Sequence, residues 1–545
     1  MSPTGLEVST PSQARPRLAL VAVGVLVVAH AVLAVRSWYV CDDAYIAFRY
    51  VKNVVDGHGL RWNLEDPPVE GFSNPAWLAL SILVRFLGFD EIAVMPAVSI
   101  VIGGATIVGV AAWIRHERPG ADGAALVAAM ALALSSAFVN WSTSGLETMQ
   151  AAGALLLAVV AWTYEWHWFA RGGLAALLVA SRPEGVAWAM VCVGVGALRR
   201  PRSWSALGLA AVVAVTGAEL LLLARYAIFG IWVPNTALAK SGHDASYYLR
   251  GVRYVVMNSI VQVLPIPAFL LAVWRGGAWV AQHARATAGA PFPRPFTAAD
   301  VAALVLLGHM GFAAVVGGDY MPFGRFLLSG LPFAAFLLAD AAAGLVGAGR
   351  VAALGALAAA SLVSALPQFD VPLSTAGMRL ALDFRNSGEF RPTEREMWWA
   401  ERSRPIVWKE HGQYLRRLLA EDERYMVVAI GAAGYYAHRY LYDVCYLVQP
   451  IPRGTTVRTG VAAPGHDSCV MRKSPAELAA TRTTASVGFT EVPERGQLGD
   501  IWSERLPTRA VRTYYRARLV DPTQKPERYF FIDRFQADDL PEEPS

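Results

Sequence analysis

The sequence predicts a polytopic α-helical membrane protein with a C-terminal water-exposed domain of α/β type, and three observations predict it. Hydrophobic residues make up 55% of the 545-residue chain and charged residues 17%, against roughly 25% charged in soluble domains. Apolar runs of the length a bilayer requires recur from Leu18 to about Pro367. From Arg379 onward charge density rises, Trp and Tyr scatter, and no run is long enough to span. The expected division is a cytoplasmic tail at 1–17, a membrane part at 18–367, and an extracytoplasmic domain at 368–545 that is a candidate for glycan binding.

The first apolar run, Leu18 to Val35, follows Arg15 and Arg17 and reads as a retained anchor, because no small-residue cleavage pattern precedes Arg36 and Trp38. Four cysteines are too few for a disulfide scaffold. The net charge of +5 is small, and the basic residues cluster in loops, which speaks for topology and against nucleic acid as a partner. The stretches Arg115–Arg118, Glu165–Arg171, Arg199–Arg202 and Arg275–Arg294 are richest in Arg and His, so the positive-inside rule makes them cytoplasmic. The opposite face then holds Asp42–Asn74, Trp141–Glu147, Arg182–Glu184, Arg225–Arg250 and Gly317–Arg325. The parity requires Trp77–Phe89 to be an interfacial helix, which Arg85, Asp90 and Glu91 support. About eleven spans result, two of them short and joined at Arg182-Pro183-Glu184-Gly185.

Ionisable residues gathered on one face are what a single site at one membrane surface demands. Asp42 and Asp43 open the helix DDAYIAFRYVKNVVDGHG just past the first span. A carboxylate pair is unfavourable beside hydrocarbon and against its own like charge, so it points to acid–base chemistry, with either aspartate the base. The plainer alternative makes Asp42 an N-cap and Asp43 a first-turn residue. Arg49, His58, Trp62, Asn63, Glu70 and Asn74 follow in the same loop, a set that suits sugar hydroxyls and phosphate. Arg182 reads either as a phosphate ligand or as an ion pair with Glu184. Lys240 is a further candidate cation, Arg325 reads as snorkelling or as a lipid-phosphate ligand, and Glu184, Asn235 and Asp319 are candidate contacts to acceptor or sugar. Glu147 stands in the first turn of a span, suited equally to the helix dipole and to substrate contact.

No metal-ligand spacing, P-loop, dinucleotide fingerprint or nucleophile elbow is present. An extracytoplasmic enzyme has no nucleotide sugar at hand, so an activated donor has to lie in the membrane.

The segments DDAYIAFRYVKNVVDGHGLRWN, VEGFSNPAW, SGLET, SRPEG, RYAIFGIWVPNTALAK and GGDYMPFGRF resemble the membrane-embedded GT-C glycosyltransferases, and among them the actinobacterial arabinofuranosyltransferases (mycobacterial terminal β-1,2 type) that finish cell-wall arabinan. The resemblance covers roughly Asp42 to Pro332. It implies a multi-span bacterial cell-membrane transferase that takes sugar from a polyprenyl-phosphate donor such as decaprenyl-phospho-arabinofuranose and gives it to a cell-envelope polysaccharide. Asp42 or Asp43 would be the base, and Arg182, Lys240 and Arg325 would neutralise the leaving phosphate. Need for a divalent cation, and inversion or retention, stay open. The alternatives are a flippase for polyprenyl-linked sugar and a GT-C enzyme using another sugar on a protein or lipid acceptor. A flippase should show symmetry between halves and charges near the midplane. If the C-terminal domain is extracytoplasmic, Cys445 and Cys469 are expected to form a disulfide, the alternative being a buried free thiol at Cys445.

Overall fold

The computed structural model describes residues 14–199, 201–234, 245–284, 296–369, 382–385, 392–421, 423–427, 430–443, 445 and 447–449, and the backbone of strands at 483–491, 501–505, 511–517 and 528–534. The first apolar run forms α1 (Ala14–Arg36), long and apolar enough to cross a bilayer. A short extended segment leads into α2 (Asp42–Val55), whose boundary residue is Cys41. Asp42 is therefore not the cap: both aspartates lie inside the first turn.

The stretch Trp77–Phe89, expected to lie at the interface, falls largely in α3 (Pro75–Phe86), a short apolar helix. The Asp90 side chain accepts from the amide of Ile92 at 3.0 Å and so starts α4 (Glu91–Glu117). Then come α5 (Asp122–Ala133), α6 (Ser136–Trp141), α7 (Thr148–Thr163), α8 (Trp168–Ser181), α9 (Gly185–Leu198) and α10 (Trp204–Phe229). The chain breaks between α8 and α9 at the Arg-Pro-Glu-Gly stretch. There a Cβ on Gly185 would come within 1.8 Å of the Leu178 carbonyl oxygen, so glycine alone fits. After α11 (Ala245–Gln262) the chain turns through 116° into α12 (Pro265–Ala284). A reciprocal capping box of Thr297 and Asp300 opens α13 (Ala298–Val315). An irregular 3₁₀ stretch, Pro322–Gly330, precedes α14 (Leu331–Ala343) and α15 (Gly347–Ala365).

Six of these segments are long and apolar enough to cross a bilayer, and the bent α11–α12 pair makes a seventh. Five more apolar helices are shorter, α3, α5, α7, α8 and α9. The protein is thus a polytopic α-helical membrane protein, but the described helices do not fix the number of spans at eleven. Alanine makes the bundle tight: α5 packs on α4 and α14 through Ala124, Ala125, Ala128 and Ala129, all buried. Beside them Trp113 stacks on Phe336 at 3.7 Å.

The C-terminal domain is of the expected α/β type. A Thr393–Glu396 capping box starts α16 (Glu394–Leu418), followed by β1 (Arg424–Val427), α17 (Gly431–Ala437), β2 (Leu441–Asp443), β3 (Thr483–Glu491), β4 (Ile501–Arg505), β5 (Val511–Ala517) and β6 (Arg528–Arg534). The strands form one sheet in the order β2-β1-β3-β6-β5-β4, parallel around β1 and antiparallel beyond β3.

The short helix α17 locks this domain to the membrane part. Its first amides, Gly431 and Ala432, donate to the Asp42 carboxylate at 3.2 and 2.8 Å. Arg49 donates to the carbonyls of Gly434 and Arg439, each at 3.0 Å. The Tyr435 hydroxyl donates to Glu91 at 3.0 Å, beside the Arg85–Glu91 ion pair at 2.9 Å. Cys41 and Cys192 are free and buried, and Cys445 is disulfide-bonded. Cys469 lies outside the described residues, so the expected pairing is not decided by them.

Candidate active site

Seven stretches meet around a cavity of about 430 Å³: the first half of α2, residues 71–74, the loop before α7, the α8–α9 break, the start of α11, the end of α13 with the loop and 3₁₀ stretch after it, and Leu447 of the C-terminal domain. Asp43, Asn74, Glu147, Arg182, Glu184, Asp319 and Arg325 supply its polar wall. Tyr247, Tyr248, Phe312, Val315, Val316 and Phe326 supply an apolar one. Seven residues singled out from sequence thus share one space, although the chain separates the first from the last by 282 positions.

Charges this deep have to be paired. Arg182 donates from Nη1 to Glu147 at 2.6 Å and from Nε to Glu184, so the ion pair weighed against phosphate binding does form. Asn74 Nδ2 donates to the other Glu147 oxygen at 2.6 Å. Arg325 donates from Nε to Asp319 at 2.7 Å, and its guanidinium lies 5.5 Å from the Trp141 ring centre and 5.2 Å from that of Phe326. These carboxylates fix the planes of both guanidinium groups. Snorkelling is not the arrangement of Arg325, whose side chain is 9% exposed.

Two glycines after α13 let the chain pass close to tyrosines beside the cavity. Gly317 and Gly318 have φ of 73° and 75°, and a Cβ on either would come within 2.6 Å of Tyr247 or Tyr254. They admit close packing of tyrosines, not of a ligand.

The remaining candidates lie elsewhere. Asp42 points away from the cavity into the amides of α17; burial raises its carboxyl to about 6, against the pull of those amides and with the help of Asp43. Arg49 lies over Trp62 at 3.8 Å and also donates to Asn63 at 3.3 Å. Asn63 in turn donates to the Leu441 carbonyl at 3.0 Å. These three join the domains. Glu70 pairs with Arg225 of α10 at 2.6 Å. His58 is exposed at the mouth of a second, polar cavity of about 310 Å³, shared with Arg49 and Asn63. Asn235 and Lys240 lie outside the described residues. Sequence reasoning missed Tyr247, Tyr248 and Phe312; the first two fall in a loop assigned to the same face, but nothing in their spacing marks them as cavity residues. Among the described residues, no group of three or more His, Cys, Asp or Glu side chains is placed to hold a metal ion.

Fold and site together define a polytopic membrane protein with a charged cavity walled by both membrane helices and membrane-side loops. No family model matches the chain, and no curated protein matches it. Among solved structures it is similar to ArnT from Cupriavidus metallidurans bound to undecaprenyl phosphate, at 13% identity and a TM-score of 0.48 over 78% of this chain and 85% of that one. It is likewise similar to the apo state of the same protein, at 13% identity and a TM-score of 0.47 over 88% and 93%.

Proposed function

We propose that the protein is a GT-C type glycosyltransferase that moves a sugar from a polyprenyl-phosphate donor to a hydroxyl of a cell-envelope glycan. The observation that carries this reading is one cavity in which the carboxylate of Asp43 and two oriented arginines, Arg182 and Arg325, share a space with an apolar wall. A phosphodiester-stabilised anion is a good leaving group that needs neutralising charge rather than a strong acid, and the arginines are suited to supply it. The acceptor hydroxyl needs a base within reach, and Asp43 is the aspartate left to the cavity once Asp42 is engaged by α17. Phe312, Val315 and Val316 offer contact to the first isoprene units of the donor. Arabinofuranose as the sugar and arabinan as the acceptor rest on the motif resemblance, as do the bacterial cell membrane as location and the extracytoplasmic side as the face of the site.

The test is transfer in proteoliposomes supplied with radiolabelled polyprenyl-phospho-arabinofuranose and an arabinan oligosaccharide. Labelled product from the wild type, lost in Asp43→Asn, is the expected result. Movement of the intact lipid between leaflets without product would replace this reading with that of a flippase.

A further inference from the structure

Behind the first turn of α2 runs α16, where Trp398, Glu401 and Arg404 follow at intervals of three and so share a face. Trp398 packs edge-on to Tyr39 with ring centres 6.2 Å apart, and Arg404 lies 5.9 Å from the ring centre of Tyr320. Tyr39 stands just before the acid pair and Tyr320 just after Asp319, so Glu401 is wedged between the start of α2 and the Asp319 loop of the cavity. It is 1% exposed. Its Oε1 accepts from Arg404, while Oε2 is buried without a partner among the described residues. The Tyr39 hydroxyl and the Trp398 indole N–H, on the same wall, are also buried and unpartnered among the described residues. Three unmet polar atoms at one seam are unfavourable unless a mobile proton or a water serves them.

We propose that Glu401 is the proton partner of Asp43: a positioning residue in the C-terminal domain that receives, across this seam, the proton Asp43 takes from the acceptor hydroxyl. The inference rests on the reading of Asp43 as base. In the balanced step the acceptor O–H bond breaks as its oxygen bonds to the anomeric carbon, and the anomeric carbon–phosphate bond breaks with the electron pair leaving on phosphate. The proton passes to Asp43, then through a water held at the unmet polar atoms of the seam to ionised Glu401, and out beside Arg404, whose side chain is 44% exposed. Such an exit is needed because donor and acceptor fill the cavity and exclude water from the front of Asp43. Burial raises the Glu401 carboxyl to about 7, Arg404 opposes this, and Asp43, Asp42 and Asp319 add to it. Tyr39, Cys41, Tyr320 and Arg325 complete the titratable and charged groups of this seam. The carboxyl is thus poised to exchange protons near neutrality.

The experiment uses the full chain in nanodiscs. Wild-type kcat should rise through pH of about 7 as Glu401 ionises. Glu401→Gln should lose that inflection and fall on the order of tenfold, the effect of about one unit of misplaced proton affinity, and Glu401→Asp should restore an inflection. A uniform loss with the inflection kept would make the residue merely structural and overturn the proposal. A second readout needs no activity: infrared titration of the protonated carboxyl band, assigned by its absence in Glu401→Gln. Its midpoint should move to lower pH in Asp43→Asn, where a nearby negative charge is gone; an unmoved midpoint sinks the coupling. A wild type that transfers no sugar would overturn the glycosyltransferase reading, and the infrared shift would still decide whether the two carboxyls are coupled.

Discussion

Asp42 and Asp43 differ by one residue and therefore by about 100° around α2, and that rotation sends one carboxylate into the amides of α17 and leaves the other to the cavity. Conservative substitutions should separate them. Asp43→Asn should lower transfer by a factor on the order of 10² to 10⁴, the usual effect of losing a positioned base, while Asp42→Asn should keep most of it, because an amide oxygen still accepts from Ala432. Comparable losses in both, measured in proteoliposomes, would refute this division of roles. Asp42 also predicts a pH dependence. Its folded-state pKa of about 6 lies above its ordinary value, so the folded state holds the proton more tightly, and the contribution to stability is full below pH of about 4 and lost as pH rises through the folded pKa. The melting temperature of Asp42→Asn relative to wild type should therefore climb between acid and neutral pH. A difference that stays flat would mean that the carboxyl is not buried as the structure places it.

At the scale of elements, the critical contact is α17 against α2. The helix has only seven residues, so it cannot be stable alone and depends on its partners. Asp42 satisfies its first amides, Arg49 satisfies the carbonyls at its end, and the rings of Tyr435 and Tyr436 pack against Tyr45 at 5.7 and 5.9 Å. Gly434 makes the approach possible, since a Cβ there would meet the Trp62 ring at 2.6 Å and Arg49 at 3.0 Å. Gly434→Ala should destabilise the docked state by about 1–3 kcal/mol, as overpacking of a filled contact does. Limited proteolysis should then cut the α16–α17 region faster than in wild type while the membrane helices stay protected. Unchanged cleavage would show that the contact has slack that the static packing hides.

For the whole molecule, the C-terminal domain is part of the site rather than an appendage. α17 fixes the start of α2, and α16 closes the back of the same turn with Trp398, Arg404 and Glu401. Deleting residues 392–545 should therefore abolish transfer while leaving an inserted bundle, because Arg49 and Asp42 would lose partners they need when buried. Retained transfer by the truncated chain, assayed beside its membrane level, would reduce the domain to an accessory role.

The sequence by itself determined the class of the molecule, the place where apolar helices stop, the broken pair at Arg182–Glu184, and the gathering of Asp43, Asn74, Glu147, Glu184, Asp319, Arg182 and Arg325. These follow from hydropathy and charge, which act locally and survive any arrangement of the helices. Tertiary structure alone decided what each charge does. Whether Arg182 is held by Glu184 alone or also by Glu147, whether Asp42 caps its own helix or another 389 residues away, and whether Arg49, Trp62 and Asn63 line the charged cavity or a domain joint are questions of rotation and distance. One-residue steps on a helix change direction by about 100°, and a loop's composition does not record which distant backbone will arrive to satisfy it.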